Sequence, residues 1–93
     1  MNASSSILVE TGNASGYLQR LCKHFGHKLE VEFTPERGSI AFEFGRAALQ
    51  AGPDGLKMTA LAGNEEDLTR LTSVLASHLE RFAFREELKI DWR

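Results

Sequence analysis

Six basic side chains in two short stretches of the sequence are the residues best suited to bind a ligand. They are His24, His27, Lys28, His78, Arg81 and Arg85. Guanidinium, ammonium and imidazolium groups donate charge-assisted hydrogen bonds to carboxylate and catecholate oxygens. If the elements that carry the two stretches meet in space, the sequence predicts a site for a small anionic ligand.

A purely structural role is the alternative for the same cations. Cationic side chains near the C-terminus of a helix are stabilised by its dipole, by about 0.3–1 kcal/mol each. Ion pairs with nearby acids can also use up the charges. These acids are Glu30 and Glu32 after the first stretch and Glu80, Glu86 and Glu87 around the second.

His78 lies on an apolar helical stripe, next to Leu71, Leu75 and Phe82 at helical spacing. This pattern predicts burial. Burying an imidazole costs free energy unless its ring nitrogens find partners or one of them reaches solvent. We expect a hydrogen bond from His78 to a backbone carbonyl or to Tyr17, with a ligand-binding role as the alternative.

The spacing of the histidines allows a weaker alternative, a metal site. His24 and His27 are three residues apart and share one side of a helix only if that helix continues to His27. Gly26 and the strand pattern that starts at His27 argue against such a continuation. His78 can supply a third ligand only if the second helix packs beside the end of the first, and no carboxylate is clearly placed to complete the site.

The sequence contains no recognisable catalytic motif, such as a nucleophile elbow, a phosphate-binding loop, a zinc-binding His-Glu helix or a dinucleotide fingerprint. Cys22, the only cysteine, lies on a predicted buried helix face, where a thiol is usually inert. It has no intramolecular disulfide partner. The sequence therefore predicts a protein that is not an enzyme and holds no cofactor.

The composition favours one small globular domain. Of the 93 residues, 42% are hydrophobic and 26% are charged, which suffices for a single core. A net charge of −2 and a pI near 5.9 give no overall attraction to nucleic acid or anionic lipid. The sequence shows neither a secretory signal nor a membrane-spanning apolar run. We therefore expect a cytoplasmic protein that binds neither nucleic acid nor membrane.

The first part of the chain is predicted to form a strand and a helix. Residues 1–6 are small and polar and are expected to be a loose tail before a strand at 7–10. Thr11 or Asn13 can cap the following helix, and Gly26 ends it. The apolar residues of that helix recur at three- and four-residue steps. They are Leu18, Leu21, Cys22 and Phe25.

Alternating apolar residues predict four strands in the middle of the chain, the first of them starting at His27. Gly45-Arg46 is predicted to form a hairpin turn, because glycine readily takes the positive φ of a type II′ turn; a bulge within one bent strand is the alternative. The segment "GPDG" is predicted as the last turn, with Pro53 setting φ and Gly55 closing it.

A second, longer helix is predicted to start at Asn64, whose side chain can cap free backbone N–H groups beside an acidic first turn. Its inward stripe comprises Leu68, Leu71, Leu75, His78 and Phe82, widened by Val74 and Leu79. The helix is expected to unwind near Phe84. A closing strand is then predicted, because Leu88, Ile90 and Trp92 alternate with Lys89, Asp91 and Arg93.

The predicted order is strand, helix, four strands, helix and strand, which indicates an α+β fold. Because the strands show one apolar face and each helix one apolar stripe, we expect an antiparallel sheet with both helices on one face. The other face and the sheet edges then remain available to a partner protein or a second copy of the chain. A homodimer acting as a structural interaction protein is therefore the alternative function.

Three segments of the chain resemble a bacterial family catalogued as domain of unknown function 2218. They are "YLQRLCKHFGHK", "GSIAFEFG" and "HLERFAFREELKIDW". The resemblance implies a small α+β protein without a settled activity. Similar domains occur near, or joined to, siderophore-utilisation proteins that reduce ferric chelates, so the resemblance implies an accessory role in iron handling. The leading hypothesis is thus a non-enzymatic binding module for an anionic ligand.

Overall fold

A five-stranded antiparallel sheet and two helices form the fold of the computed structural model, which describes residues 2–83 and Trp92. The elements are β1 (Ala3–Val9), α1 (Ala14–Phe25), β2 (Glu30–Phe33), β3 (Arg37–Phe42), β4 (Gly45–Gly52), β5 (Gly55–Ala62) and α2 (Glu65–Phe82). The predicted α+β class and the order of these elements are confirmed. The predicted closing strand and Phe84 lie outside the described residues, but Trp92 is half-buried and packs against the core.

The strands lie in the order β1-β5-β4-β3-β2, and each neighbouring pair is antiparallel. Strands β2 to β5 follow one another as successive hairpins. Strand β1 pairs with β5, from Ala3 opposite Ala62 to Val9 opposite Leu56. Helix α1 therefore carries the chain from one edge of the sheet to the other.

Both helices cover the same face of this sheet. A Cβ added to Gly38 in β3 would lie 2.7 Å from the Sγ of Cys22 in α1. A Cβ added to Gly45 in β4 would lie 2.9 Å from the Cδ2 of Leu71 in α2. Gly45 pairs with Phe42, which shares its face with Gly38 because the two are four residues apart in β3. We call the opposite side, which neither helix contacts, the open face.

Apolar side chains from both layers fill the space between the sheet and the helices. Leu71, Leu75 and Leu79 of α2 are fully buried, and so is Leu18 of α1. Burial stabilises the fold by about 1.5–3 kcal/mol for each such side chain. Leu79 takes the central place on the α2 stripe, whereas His78, for which burial was expected, lies half-buried at its margin. Neither helix has the length and apolar composition that a membrane span requires.

Strand β1 starts earlier than the sequence pattern predicts. Residues 3–6 were expected to belong to a loose tail, but they pair with residues 59–62 of β5. Ala3 is only 7% exposed. Three consecutive serines have little strand preference of their own, so the hydrogen bonds and packing offered by β5 override the local signal.

The turn between β3 and β4 lies two residues before its predicted position. Glu43 and Phe44 form a two-residue loop, because the residues on either side of them pair with each other. The hairpin is present, but the prediction that Gly45-Arg46 forms its turn is wrong. Neither loop residue has a positive φ. Gly45 is instead required by close packing, since a Cβ there would lie 2.6 Å from the carbonyl oxygen of Leu61.

The turn between β4 and β5 matches the prediction. Pro53 and Asp54 form its loop between the paired residues Gly52 and Gly55. Gly55 has a φ of 143°, a conformation that favours glycine. A Cβ at Gly55 would also overlap the carbonyl oxygen of Val9, so the end of β1 packs directly against this turn.

The two helices start differently. The Oδ1 of Asn64 accepts a hydrogen bond from the N–H of Asp67 at 2.8 Å, which is the predicted cap of α2. At α1, Asn13 makes no capping hydrogen bond with its side chain. Its own N–H donates to the Oγ1 of Thr11 at 3.1 Å. Of the two predicted caps, Asn13 occupies the N-cap position without a capping bond from its side chain, and a cap from Thr11 stays a prediction. Helix α1 therefore depends on its packing rather than on a bond from Asn13.

Candidate functional site

The C-terminal ends of the two helices meet at one corner of the molecule. Near these ends, the ring centroids of His24 in α1 and His78 in α2 lie 4.8 Å apart. The ring centroid of Phe25, the last residue of α1, lies 4.9 Å from that of His78. The structure thus brings His24 of the first basic stretch and His78 of the second together.

A tight turn after α1 positions the rest of the first stretch. Gly26 caps the helix, and the N–H of Lys28 donates to the carbonyl oxygen of Phe25 at 3.2 Å. Because these backbone groups bond back to the helix, β2 starts at Glu30 and not, as predicted, at His27. His27 and Lys28 are therefore exposed beside the end of α1.

His78 is held by its own helix. Its Nδ1 lies 2.8 Å from the carbonyl oxygen of Val74, one turn earlier. A carbonyl oxygen only accepts, so Nδ1 carries a hydrogen and donates it, which leaves Nε2 as an acceptor in the neutral ring. The partner is thus a backbone carbonyl, one of the two partners expected for this histidine.

The imidazole of His24 has a pKa below its ordinary value of 6.5. The largest cause is loss of hydration. The residue as a whole is exposed, but its ring packs on the neighbouring rings of Phe25 and Phe82 and loses water there. The next causes are the charges of His78, His27, Arg81 and Lys28, in that order. Each of these disfavours the protonated form of His24.

We call His24, His27, Lys28, His78 and Arg81 the basic corner. No carboxylate within residues 2–83 contributes to the pKa shift of His24. The partial negative charges at the C-termini of α1 and α2 offset some of the repulsion among the cations, yet the pKa of His24 stays lowered. Arg85, the sixth predicted site residue, lies outside the described residues.

The acids expected to neutralise the first basic stretch point away from it. Val31 in β2 pairs with the fully buried Ile40, so its side chain lies on the helix-covered side. Side chains alternate along a strand, and Glu30 and Glu32 therefore lie on the open face. Both are exposed. The sheet itself separates these two carboxylates from the basic corner.

A continuous row of aromatic rings runs past the basic corner. The ring centroids are separated by 5.5 Å from Phe44 to Phe42, 5.1 Å from Phe42 to Phe25, 5.1 Å from Phe25 to His24 and 5.7 Å from His24 to Phe82. Interplanar angles of 70–79° at Phe25 and 71° at Phe82 indicate edge-to-face contacts. We call these five rings the ring row.

Two further arginines stack on the ends of the ring row. The guanidinium carbon of Arg20 lies 5.1 Å from the ring centroid of Phe82, and that of Arg70 lies 4.5 Å from that of Phe44. Such cation–π contacts occupy both guanidinium groups. Within the described part of the chain, Lys28 and Arg81 have no comparable ring contact, so their charges face solvent beside His24.

The histidines do not gather a recognisable metal site. Among the described residues, no group of three or more histidine, cysteine, aspartate or glutamate side chains is placed to hold a metal ion. His24 and His78 are close, but the neighbouring charges of Lys28 and Arg81 oppose a cation.

Cys22 does not join the site. It is fully buried beneath α1, and burial raises the pKa of its thiol to about 11. The nucleophilic thiolate is therefore scarce at neutral pH. This agrees with the inert thiol that the sequence predicts.

The ring row is the part of the site that sequence reasoning missed. Phe25 and Phe82 were assigned to the apolar stripes of their helices, and Phe42 to a strand. One signal was available, because Phe25 follows His24 directly and Phe82 follows His78 by one helical turn. His24 and His78 thus each have a phenylalanine nearby in the sequence whose ring contacts theirs.

A solved structure resembles this chain over nearly its whole length. It is the NMR structure of PA4090 from Pseudomonas aeruginosa, with 42% sequence identity and a TM-score of 0.75. The match covers 99% of this chain and 94% of the other. No curated protein matches this chain.

A family model described as an uncharacterised protein conserved in bacteria, domain of unknown function 2218, matches residues 7–93. This match includes the end of β1, both helices and every residue of the basic corner. It also agrees with the resemblance carried by the three sequence segments. The chain therefore belongs to the bacterial family known as domain of unknown function 2218.

Proposed function

We propose that this protein is a non-enzymatic binding module for a small organic anion, which it holds at the basic corner. The observation that supports this most directly is the set of charges around His24, which contains cations and histidines and no described carboxylate. Like charges held together cost free energy, and a bound anion would relieve that cost. A binding site tolerates this cost for function, whereas a structural cluster has acids close by.

The side chains of the basic corner suit carboxylate oxygens. Arg81 offers a planar fork of N–H donors, and Lys28 a mobile ammonium group. His24 adds a third donor when it is protonated, which an adjacent anion favours. The iron-handling role implied by the family resemblance would make the anion a carboxylate or catecholate of a ferric chelate. Arg85 remains a predicted further contact.

A titration with citrate at low ionic strength, followed by the NMR signals of the His24 ring, tests this proposal. Loss of one exposed charge contact costs up to about 1 kcal/mol, so we expect Arg81→Ala to weaken binding about fivefold. The matched control is Arg46→Ala, which removes an exposed arginine from the open face. It should change the affinity less than about twofold. Equal effects of the two variants, or no binding by the parent protein, would contradict the proposed site.

The pH dependence separates an anion from a metal ion. Because anion binding favours protonated His24, the affinity for oxalate, which stays fully ionised in this range, should rise as the pH falls below about 6.5. A metal ion needs neutral imidazoles, so its affinity would fall over the same range. Oxalate affinity that falls with pH in this range would refute anion binding through His24. Zinc binding with a midpoint in this range would support the metal alternative instead.

The open face supports a second candidate function, association with another protein or a second copy. Leu8 and Leu61 are 49% and 45% exposed there, so both side chains would lose further contact with water if a partner covered this face. Sedimentation over a dilution series tests self-association. A dimer that dissociates in Leu8→Ser and Leu61→Ser variants would support it. A monomer at every concentration would exclude the homodimer.

A further inference from the structure

The basic corner and the ring row share His24. The His24 ring belongs to the ring row, and its pKa is lowered by the charges of His78, His27, Arg81 and Lys28. The same ring packs against Phe82 and Phe25, at 5.7 and 5.1 Å between centroids. A ligand that reaches the cations therefore meets aromatic side chains next to them.

These neighbours constrain the shape of the ligand. The face of an aromatic ring is electron-rich and repels an anion, whereas it attracts apolar surface and the edges of other rings. Phe82 and His78 are only half-buried, and His24 is exposed. These rings therefore leave apolar surface in contact with water, which is unfavourable. A compact inorganic anion would leave this surface unused, and a flat apolar group attached to the charge would cover it.

We infer that the ligand of the basic corner is an aromatic carboxylate, whose carboxylate contacts Arg81 and Lys28 while its ring packs on His24 and Phe82. The inference rests on the proposed anion site and adds the chemical class of the ligand. Protonated His24 then serves both parts of the ligand, because it donates to the carboxylate and lies against the aromatic ring.

Three carboxylates of equal charge test this class by NMR titration: benzoate, cyclohexanecarboxylate and acetate. Benzoate should bind about tenfold more tightly than acetate, because its ring adds buried area and edge-to-face contacts. Cyclohexanecarboxylate has a similar size but is neither flat nor aromatic, so it should bind several-fold less tightly than benzoate. Equal affinities of benzoate and cyclohexanecarboxylate would overturn the aromatic class.

Variants at the two ends of the ring row locate the contact. Phe82→Leu keeps an apolar side chain but removes the ring beside His24, and the preference for benzoate over acetate should fall to about twofold or less. Phe44→Leu makes the same change at the far end of the row, where Arg70 stacks, and should leave the preference intact. A preference that survives Phe82→Leu would overturn the assigned contact.

The outcomes for the two proposals differ. If acetate and benzoate bind equally and Arg81→Ala weakens both, the anion site stands and the aromatic class is wrong. If acetate, benzoate and citrate all leave the NMR signals of His24 unshifted, the proposed anion site itself is wrong. If benzoate binds with the expected preference but Arg81→Ala has no effect, the carboxylate does not lie at the basic corner and both proposals fail.

Discussion

The two sides of the sheet carry the same kinds of charged residue in different surroundings. On the open face, Arg37, Arg46 and Lys57 share the surface with Glu30 and Glu32. Small side chains lie between them, and this is the usual solvated surface of a sheet. On the covered side, charges occur where the helices end, beside aromatic rings and away from those acids. The comparison teaches that the neighbours of a cation, rather than its presence, mark a candidate site.

The largest expected difference between the two sides concerns stability. Leu75→Ala empties a fully buried position of α2 and should cost about 2–5 kcal/mol. Leu61→Ala makes the same change on the open face, where the side chain is 45% exposed, and should cost less than about 1 kcal/mol. Urea denaturation of both variants measures this. Similar losses would mean that the open face is covered in solution.

A smaller loss is expected where the covered face leaves no room for a methyl group. In Gly45→Ala the new Cβ meets the carbonyl oxygen of Leu61 at 2.6 Å and Leu71 at 2.9 Å, so we expect a cost of about 1–3 kcal/mol. Gly52→Ala is the control in the same strand, because nothing lies within 4 Å of its added Cβ. Thermal unfolding compares the two variants, and a Gly45→Ala protein as stable as its control would contradict the close approach.

The helix that completes the covered face should depend on its cap. Asn64→Ala removes the acceptor for the N–H of Asp67 and should destabilise the protein by about 1 kcal/mol. Asn13→Ala should cost less, since Asn13 makes no side-chain capping bond. Denaturation midpoints with unchanged slopes would show this difference. A larger effect at Asn13 would reverse the assignment of the caps.

The smallest effect comes from the titration of His24. Its pKa is lowered in the folded protein, so the unfolded chain binds more protons between the folded value and the ordinary value of about 6.5. Stability should therefore fall as the pH drops through 6.5 towards the folded value. His24→Gln removes this contribution, and the variant should lose less stability than the parent on acidification. Urea denaturation at two pH values measures the difference, and identical losses would contradict it.

Local sequence patterns predict most of the strands and helices of the fold. Alternation of apolar residues predicts β2 to β5, and the acidic first turn after Asn64 predicts the start of α2. The turn was assigned wrongly at Gly45, because a glycine can be required either by a positive φ or by close packing. At Gly45 the requirement is close packing. The paired serines of β1 gave no signal, since β5, which lies far away in the sequence, makes them a strand.

The sequence predicts which two sets of residues form the candidate site, but it does not predict that the two sets lie next to each other. Helical periodicity shows which side of α2 carries His78, but it does not show where α1 crosses or ends relative to α2. The 4.8 Å separation of His24 and His78 follows from the packing of both helices on one sheet. The position of Glu30 and Glu32 likewise became clear only from the register of β2 with β3.

The pairing of β1 with β5 has a consequence for synthesis on the ribosome. Val9 is made well before its partner Leu56, because α1 and three strands lie between β1 and β5 in the sequence. At about 5–20 residues per second, the nascent first strand waits for several seconds without its partner. Its apolar side chains are then exposed to solvent and to chaperones, and the hairpins from β2 to β5 are the part of the sheet that can assemble first.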